Sequence, residues 1–464
     1  MNNIERLVQA IKKEKVNKND PYRLHYHLMP PVGWLNDPNG LCQFKGTYHI
    51  YYQWAPADVN NGLKGWGHYA TKDFIHYQEL GMPLFPDHER DQNGAYSGSA
   101  FVENDKIHYF YTGNVKEIGD YDYILKGRQH NVMYLESKDG NQLLHKECLM
   151  VNSDYPDDLT CHVRDPKIYQ RDHYYLVLGA RDINDVGQVI LFQSDDLKNF
   201  KYCSRIKTKE PFGYMWECPD LFEVDGQMVL LCSPQGLKQE GYLYENIYQN
   251  GYFKVAHDFI DQPYVKDFEE IDNGFDIYAV QTFLDEKGRR ILIGWMGLPD
   301  VDYTIPTVEN NWQHALTMPR VLHFKNNHLY QEPLSEFKEL RLEKNVYKKP
   351  KVELKNNVFE LQIHDIQDQL SLKLRNDFTL EYENGLLTIS MYEAGYGRNQ
   401  RHLELEHLDD LVIYSDTSSL ELFINKGYRT FTTRIFSECS MLECNKDLEL
   451  YYLDSFKIVH EKGL

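Results

Sequence analysis

The amino-acid sequence predicts an all-β protein in which a five-bladed β-propeller is followed by a C-terminal β-sandwich. Three observations favour this fold: a hairpin pattern that repeats five times, a later run of short alternating strands, and many aromatic residues. Tyr occurs 35 times and Phe 22 times, and both residue types favour strands. The length of 464 residues suits two or three domains with a large core.

The five repeats each pair two apolar, aromatic-rich segments around a short turn. The expected turns are Lys45-Gly46, Asn104-Asp105, Arg171-Asp172, Asp225-Gly226 and Lys287-Gly288. A motif precedes each hairpin, and the motif centres, which lie 60, 68, 52 and 61 residues apart, are Asp37, Ser97, Asp165, Glu217 and Tyr278. A period of this length with four strands per unit is typical of propeller blades. Because the first strand of each blade lines the central channel, we expect these motifs to converge there.

The chain divides into four predicted segments. Residues 1–22 form an N-terminal helical lead-in, since their apolar residues have helical spacing. Residues 23–327 form the catalytic propeller, residues 328–345 a linker helix, and residues 346–464 the sandwich. The apolar residues expected to anchor the linker helix are Leu334, Phe337, Leu340 and Leu342.

Composition and charge exclude several classes of partner. The formal net charge of −20 argues against nucleic acid, which needs basic surface. No apolar run is long enough to span a membrane, and the first residues lack the apolar core of a signal peptide. The eight cysteines form neither a Cys-x-x-Cys pair nor a zinc spacing. We therefore expect a cytoplasmic protein with reduced thiols, no metal and no cofactor.

Three acidic motifs open three different hairpins: WLNDPNG at 34–40, HVRDPKIY at 162–169 and MWECPDLF at 215–222. Pro38 pushes Asp37 toward an extended backbone, and Asn39-Gly40 is a tight-turn signal. Asp37 is accordingly expected at the end of a strand, held by backbone geometry.

Two carboxyl groups flanking one bond are what most glycosidases require. Glu217 lies beside Trp216 in an apolar stretch, which should raise its pKa and suit a general acid. Asp37 would then be the ionised nucleophile. Arg164 should keep its neighbour Asp165 charged, which suits hydroxyl binding and transition-state stabilisation; the alternative is a purely structural ion pair.

The sequence resembles glycoside hydrolase family 32, the β-fructofuranosidases, from about residue 20 to the end. This family consists of a five-bladed propeller joined to a β-sandwich. The matching strings are WLNDPNG, YYQWAP at 51–56, WGHYATKDFIHY at 66–77, YSGSA at 96–100, RDP at 164–166, WECPDLF at 216–222, DNGFDIYAVQTF at 272–283, WQHALTMPR at 312–320 and DTSSLELFINKGYRTFTTRIF at 416–436.

The resemblance implies a role for each matching site residue. Asp37 is the nucleophile, Glu217 the general acid/base and Asp165 the transition-state stabiliser. The residues implied to shape the fructose pocket are Asn36, Gln53, Trp66, Ser97 and Arg164, and the implied wall residues are Trp34, Tyr96, Tyr278 and Trp295. His68 and His314 are expected to make structural hydrogen bonds.

The expected reaction is hydrolysis with retention through a covalent fructosyl-enzyme. A cytoplasmic family member is expected to act on a small sugar, sucrose 6-phosphate and/or sucrose. The residues considered for the phosphate are Lys64, Lys116, Arg128 and His130, with solvated surface charge as the alternative for each. Alternative functions are an invertase or fructo-oligosaccharide hydrolase, a fructosyltransferase, and a sugar-binding protein without turnover.

Overall fold

The computed structural model describes residues 3–13 and 15–460. Residues 1, 2 and 14 of the predicted lead-in and residues 461–464 of the predicted sandwich lie outside the described residues. Helix α1, Asn3–Lys12, has an apolar face. Leu7 on this face is buried in the core of the first sheet, and Ile11 packs against the same core.

Each of the first four sheets contains four consecutive antiparallel strands, and two later strands extend the first sheet to six. The first sheet contains β1 (Gly33–Phe44), β2 (Thr47–Ala55), β3 (Gly65–Thr71) and β4 (His76–Glu79). The second contains β5 (Ala95–Glu103), β6 (Lys106–Lys116), β7 (Arg128–Ser137) and β8 (Leu144–Met150), followed by a 3-10 turn at Asn152–Asp154. The third contains β9 (Leu159–Gln170), β10 (Tyr174–Asp182), β11 (Gly187–Ser194) and β12 (Lys201–Ile206), and the fourth β13 (Met215–Val224), β14 (Gln227–Gln235), β15 (Gly251–Val255) and β16 (Glu269–Glu270).

The fifth sheet closes the ring. It contains β17 (Tyr278–Leu284), β18 (Arg290–Met296), β20 (Ala315–Leu316), β21 (Arg320–Lys325) and β22 (His328–Pro333), and is interrupted by a 3-10 helix at Pro306–Asn310 and by β19 (Trp312–Gln313). Strand β19 pairs in parallel with β1 of the first sheet. The innermost strands β1, β5, β9, β13 and β17 contact one another in turn, and β17 contacts β1. The predicted propeller is confirmed.

Each innermost strand has a β-bulge where its pairing with the second strand shifts register. The shifted intervals are 35–38, 95–98, 164–167, 217–220 and 278–281. Every predicted motif centre lies within or at the edge of one interval. Because a bulge bends its strand and redirects side chains, the five bulges aim the motifs at the channel.

The turn predicted around Asp37 is wrong in detail. Asp37 lies inside β1, not at its end, and Asn39-Gly40 belongs to the same strand. A second register shift falls between Asn39 and Cys42, where Gly40 has a φ of 52°. The turn-forming residues therefore make a second bulge, and the Asn39 Oδ1 atom accepts a hydrogen bond from the Gly98 N–H at 3.1 Å.

The rest of the chain forms the predicted sandwich, from two six-stranded sheets around one apolar core. Its strands are β23 (Arg341–Tyr347), β24 (Lys351–Glu353), β25 (Phe359–Ile363), β26 (Gln369–Leu374), β27 (Phe378–Glu383), β28 (Leu386–Ser390), β29 (Gln400–Glu404), β30 (Leu411–Asp416), β31 (Ser419–Ile424), β32 (Arg429–Arg434), β33 (Met441–Cys444) and β34 (Leu448–Leu453), with a 3-10 turn at Glu393–Gly395. A last strand, β35 (Lys457–His460), leaves the sandwich and pairs in parallel with β4.

The linker helix predicted over 328–345 is much shorter. Only Ser335–Leu340 is helical, as a 3-10 helix, and it is flanked by β22 and β23. Its buried residues Phe337 and Leu340 are three positions apart, the repeat of a 3-10 helix. Leu342, in β23, is 67% exposed and does not anchor a helix.

A buried ionic network joins the propeller to the sandwich. Arg320 contacts Asp272 at 3.1 Å and Glu421 at 2.5 Å, with all three side chains fully buried. His27 bridges Asp416 at 2.8 Å and Glu421 at 2.9 Å. Burial opposes protonation of His27, but its hydrogen bonds to the two carboxylates raise its pKa. The contact between the two units thus contains charged groups that water does not reach.

Two classes of feature are absent from the described part of the chain. None of its helices has the length and apolar character needed to cross a membrane. Within the same residues, no group of three or more His, Cys, Asp or Glu side chains is arranged to hold a metal ion.

Candidate active site

A cavity of about 620 Å³ opens at the channel and receives side chains from all five propeller sheets. Eleven of the twelve predicted site residues line it: Trp34, Asn36, Asp37, Gln53, Tyr96, Ser97, Arg164, Asp165, Glu217, Tyr278 and Trp295. The three candidate carboxyl groups therefore share one cavity, although they come from the first, third and fourth sheets.

A chain of hydrogen bonds fixes the Asp37 carboxylate. The Trp34 indole N–H donates to Asn36 Oδ1 at 2.9 Å, and Asn36 Nδ2 donates to Gln53 Oε1 at 3.1 Å. Gln53 Nε2 donates to Ser97 Oγ, whose hydroxyl donates to Asp37 Oδ2. Each member limits the rotation of the next, so the carboxylate is held in one orientation before a substrate arrives.

Glu217 is surrounded by hydrogen-bond donors. Arg164 donates to Oε1 from Nε at 3.0 Å and from Nη2 at 2.6 Å. The Tyr278 hydroxyl donates to Oε2 at 2.6 Å, and Gln235 Nε2 donates to the same oxygen at 2.8 Å. These four bonds fix the plane of the Glu217 carboxyl group.

Asp165 is the most buried of the three carboxyl groups, at 6% exposure. Its backbone has a φ of 64°, and its N–H donates to Thr112 Oγ1 at 2.8 Å. Its Oδ2 atom accepts a hydrogen bond from the Cys218 N–H at 2.9 Å. Both contacts cross to neighbouring sheets, so the ring itself positions this side chain.

Burial changes the acid–base balance of the cluster. It raises the pKa of Asp165 to about 7; Arg164 opposes this effect and the negative charge of Glu217 reinforces it. Burial also raises the pKa of Asp37, against the hydrogen bond from Ser97. Near neutral pH, Asp165 is therefore partly protonated.

Arg164 lies closer to Glu217 than to Asp165, the partner expected from the sequence. The guanidinium pairs with Glu217, whereas its Nε lies 3.9 Å from Asp165 Oδ2. Successive residues in a strand point in different directions, so adjacency in the sequence did not identify the partner. Asp165 is not kept charged in the way the Arg-Asp pair suggested.

An aromatic wall stands beside the Asp37 carboxylate. The rings of Trp34 and Trp295 meet edge to face with centroids 5.7 Å apart, and His314 packs against Trp34 at 4.3 Å. His314 also packs against Trp295 at 5.1 Å, and the hydrogen-bonding role expected for it stays a prediction. His68 does make a hydrogen bond, to His49 at 3.1 Å.

Trp66 is the predicted pocket residue that does not line the cavity. Its side chain is fully buried, and its indole packs against Tyr51 and Tyr111, with ring centroids 5.8 Å away in each case. The indole N–H donates to the Tyr96 carbonyl at 3.0 Å. Trp66 thus supports the strand that carries Tyr96, since its β3 position directs the ring between the first two sheets.

Sequence reasoning missed three contributors to the site. Gln235 ends the second strand of the fourth sheet and contacts Glu217. Thr112 and the Cys218 backbone hold Asp165. Cys218 lies inside a motif that was recognised, but Gln235 and Thr112 lie on second strands, where no motif marked them.

Comparisons with known proteins match both parts of the chain. Residues 27–333 match the family described as glycosyl hydrolases family 32 N-terminal domain, and residues 368–459 match its C-terminal counterpart. A sucrose-6-phosphate hydrolase of Bacillus subtilis is 37% identical over 449 residues, covering 92% of this chain and 91% of that protein. One from Staphylococcus xylosus is 37% identical over 464 residues, covering 93% and 90%.

Solved structures agree over nearly the full length. Sucrose-6-phosphate hydrolase from Lactobacillus gasseri superimposes with a TM-score of 0.88 at 30% identity, covering 98% of this chain and 97% of that chain. A family 32 β-fructofuranosidase of Bombyx mori, solved as a mutant in complex with sucrose, has a TM-score of 0.83 at 30% identity and covers 98% of both chains.

Proposed function

The chain belongs to glycosyl hydrolase family 32, and from this premise we propose that it is a retaining β-fructofuranosidase that hydrolyses sucrose 6-phosphate. The resemblance read from the sequence motifs, and with it the glycosidase class, is confirmed. The substrate is inferred from the curated relatives, which are sucrose-6-phosphate hydrolases. A phosphorylated sugar is retained inside the cell, so the same proposal places the enzyme in the cytoplasm.

One observation supports this function above the others: Asp37 and Glu217 line the same cavity in different hydrogen-bonding environments. Asp37 Oδ2 accepts from the uncharged Ser97 hydroxyl, whereas Glu217 accepts from the Arg164 cation. Two carboxyl groups with distinct surroundings are able to take distinct roles.

In the proposed first step, Glu217 donates a proton to the glycosidic oxygen and Asp37 attacks the anomeric carbon of the fructosyl group. The carbon–oxygen bond to glucose breaks, and its electron pair stays with the oxygen that receives the proton. A fructosyl ester of Asp37 results. The hydrogen-bond chain through Ser97 keeps the attacking carboxylate oriented.

In the second step, Glu217 takes a proton from water, and the resulting nucleophile attacks the same carbon. The bond to Asp37 breaks, which restores its carboxylate and releases fructose with retained configuration. The contacts from Arg164 and Tyr278 hold the Glu217 carboxyl group in place for this proton transfer. Asp165 would accept hydrogen bonds from fructosyl hydroxyls that strengthen in the transition state. We expect about 5–5.5 Å between the Asp37 and Glu217 carboxyl groups, the spacing of retaining enzymes.

The remaining cavity residues are assigned to substrate binding. Asn36, Gln53 and Ser97 position Asp37 and present polar atoms to the fructosyl group. The aromatic residues assigned to the walls of the pocket are Trp34, Tyr96, Tyr278 and Trp295. Apolar ring faces of this kind suit the C–H faces of a sugar.

The test is to follow hydrolysis by proton NMR with sucrose 6-phosphate, sucrose and a short fructan. Early accumulation of β-fructofuranose, before mutarotation, would support retention. The highest kcat/KM is expected for sucrose 6-phosphate. A preference for free sucrose or the fructan would replace this substrate with that of an invertase or fructan hydrolase, and no release of fructose from any substrate would refute the enzyme activity. Transfer of fructose to a second sugar in place of water would identify a fructosyltransferase.

A further inference from the structure

Among the described residues, two cations line the active-site cavity without a hydrogen bond or ion pair to a carboxylate. The chain as a whole carries a net charge of −20, so acidic residues outnumber basic ones. A general excess of basic residues therefore does not explain why these cations lie beside the cavity. These cations are Lys64 and Arg128, at the rim between the first and second sheets.

Lys64 is only 8% exposed, yet its ammonium group has no hydrogen-bond or ion-pair partner within residues 3–13 and 15–460. The group lies over the Tyr96 ring, 5.5 Å from the centroid. Burial lowers the pKa of Lys64 to about 8, while Asp37 and Glu217 act in the opposite direction. The side chain is therefore still mainly charged at pH 7. A buried cation without a partner is costly, so a ligand that neutralises it would be favoured.

Arg128 begins β7 and is half-buried. Its guanidinium has no ion pair within the described chain, and its Nε atom is buried without a hydrogen-bond partner. Burial and the positive charge of Arg164 outweigh the nearby Tyr96 phenol and lower the pKa of Arg128. The same positive region keeps His130 neutral: burial, Arg164 and Arg128 together lower its pKa well below the ordinary value.

The other arginines of the cavity differ, because each has a carboxylate partner. Arg164 contacts Glu217 at 2.6 Å, and Arg181 contacts Asp185 at 2.6 Å. The absence of a partner is thus particular to Lys64 and Arg128 and is not a general property of this cavity.

Both cations are held in place by their backbones. The Lys64 carbonyl accepts from the Ala95 N–H at 3.0 Å, which ties it to the strand that carries Tyr96. The Arg128 carbonyl accepts from Asn152 Nδ2 at 2.9 Å. These bonds fix the backbones of Lys64 and Arg128 on neighbouring sheets. Both charges lie near Tyr96: the Lys64 ammonium lies over its ring, and Arg128 opposes the rise that burial causes in the pKa of Tyr96.

We infer that Lys64 and Arg128 form a subsite for a phosphate monoester on the glucosyl half of the substrate, with Tyr96 between them. The inference rests on the proposed function for the position of the fructosyl group at Asp37 and Glu217, beyond which the glucosyl group must extend. Arg128 is able to give a phosphate two parallel N–H donors, and Lys64 supplies a point charge.

The first experiment measures binding without turnover. Isothermal titration of the full-length wild-type enzyme with glucose 6-phosphate, glucose and inorganic phosphate separates the sugar from the anion. Glucose 6-phosphate should bind at least tenfold more tightly than glucose. Arg128→Gln and Lys64→Gln should each reduce this advantage about tenfold to a hundredfold. Inorganic phosphate that binds as tightly as glucose 6-phosphate would overturn the subsite as one for a sugar phosphate.

The second experiment compares kcat/KM for sucrose 6-phosphate with kcat/KM for sucrose. The ratio should fall by a similar factor in Arg128→Gln and partly recover in Arg128→Lys, which keeps the charge. Lys116→Gln is the matched control, because Lys116 is a charged neighbour of Arg128 that does not line the cavity. Its ratio should change less than about twofold. Thermal unfolding of every variant separates loss of the subsite from loss of the fold.

The outcomes separate the two proposals. If the wild type cleaves sucrose with retention but binds glucose 6-phosphate no better than glucose, the phosphate subsite is refuted and the fructosidase function stands. If no fructoside is cleaved while the glucose 6-phosphate advantage depends on Arg128, the subsite stands and the proposed reaction fails. An unchanged ratio in both Gln variants, with folded protein, also refutes the subsite.

Discussion

The Arg164 guanidinium places two hydrogen bonds on one oxygen of Glu217, at 3.0 Å from Nε and 2.6 Å from Nη2. The pair crosses from the third propeller sheet to the fourth, so the geometry of the ring sets the environment of the proposed acid/base.

Replacing Arg164 with Lys should lower kcat for sucrose hydrolysis about tenfold to a hundredfold. Lys keeps the charge but lacks the planar guanidinium group, whose two N–H donors hold the Glu217 carboxyl group in one orientation. Steady-state kinetics at several pH values would test this, since a changed Glu217 environment should also shift the pH profile. Arg205→Lys is the control, because Arg205 pairs with the half-exposed Asp158 and does not line the cavity. An Arg164→Lys enzyme with wild-type kcat and pH profile would contradict the role.

Glu217→Gln should reduce kcat by about 10²- to 10⁴-fold, the usual contribution of general acid–base catalysis. Gln cannot deliver the proton but has nearly the same shape, and thermal unfolding would show whether the variant stays folded after Arg164 loses its charged partner. Glu270→Gln is a useful control, since Glu270 belongs to the same sheet and lies outside the cavity. Equal release of hexose by wild type and Glu217→Gln would rule out the assignment.

Asp165→Asn should stabilise the protein above neutral pH while reducing activity. The folded-state pKa of Asp165 is about 7, above the value of about 4 for an unfolded chain. Its contribution to stability is therefore present below pH 4 and is lost as the pH rises through 7. A pKa difference of about three units, at about 1.36 kcal/mol each, predicts a gain of about 4 kcal/mol at pH 8 that vanishes near pH 4, measured by urea unfolding. A gain that is independent of pH would disprove this explanation.

His27→Gln should weaken the junction of propeller and sandwich most strongly in acid. The His27 pKa is raised by Asp416 and Glu421 despite burial, so its stabilisation is complete below about pH 6.5 and is lost as the pH rises through the folded-state value. A loss of about 3 kcal/mol is expected below pH 6. His76→Gln is the control, since His76 forms an exposed pair with Asp73. The prediction fails if the loss grows as the pH rises.

The repeated features of the propeller, its hairpins and its motif positions, could be predicted from the sequence. Hairpin turns recur at regular intervals, and the motif centres Asp37, Ser97 and Glu217 occupy equivalent places in their sheets. Because equivalent positions of repeated propeller units face the same channel, the repeat alone predicts that these residues lie close together. The bulges were not predicted, because Asp-Pro and Asn-Gly signal a departure from regular strand geometry without specifying its form.

Side-chain partners were less predictable than positions. Arg164 lies next to Asp165 in the chain but bonds to Glu217 in the neighbouring sheet. Trp66 lies in a matching string but packs between sheets. Gln235, which has no motif, contacts Glu217. The direction in which a side chain points toward the neighbouring sheet depends on how the ring closes. The local sequence does not specify that geometry.

The parallel pairing of β35 with β4 has a consequence for synthesis of the chain on the ribosome. The outer edge of the first sheet is among the earliest segments to emerge, yet it is covered only when residues 457–460 arrive. Until then, the nascent protein carries an open strand edge, the kind of surface that recruits other chains into aggregates. Rapid translation at high expression would multiply such unfinished molecules, so chaperone supply should govern the yield of native enzyme more than the stability of the finished fold does.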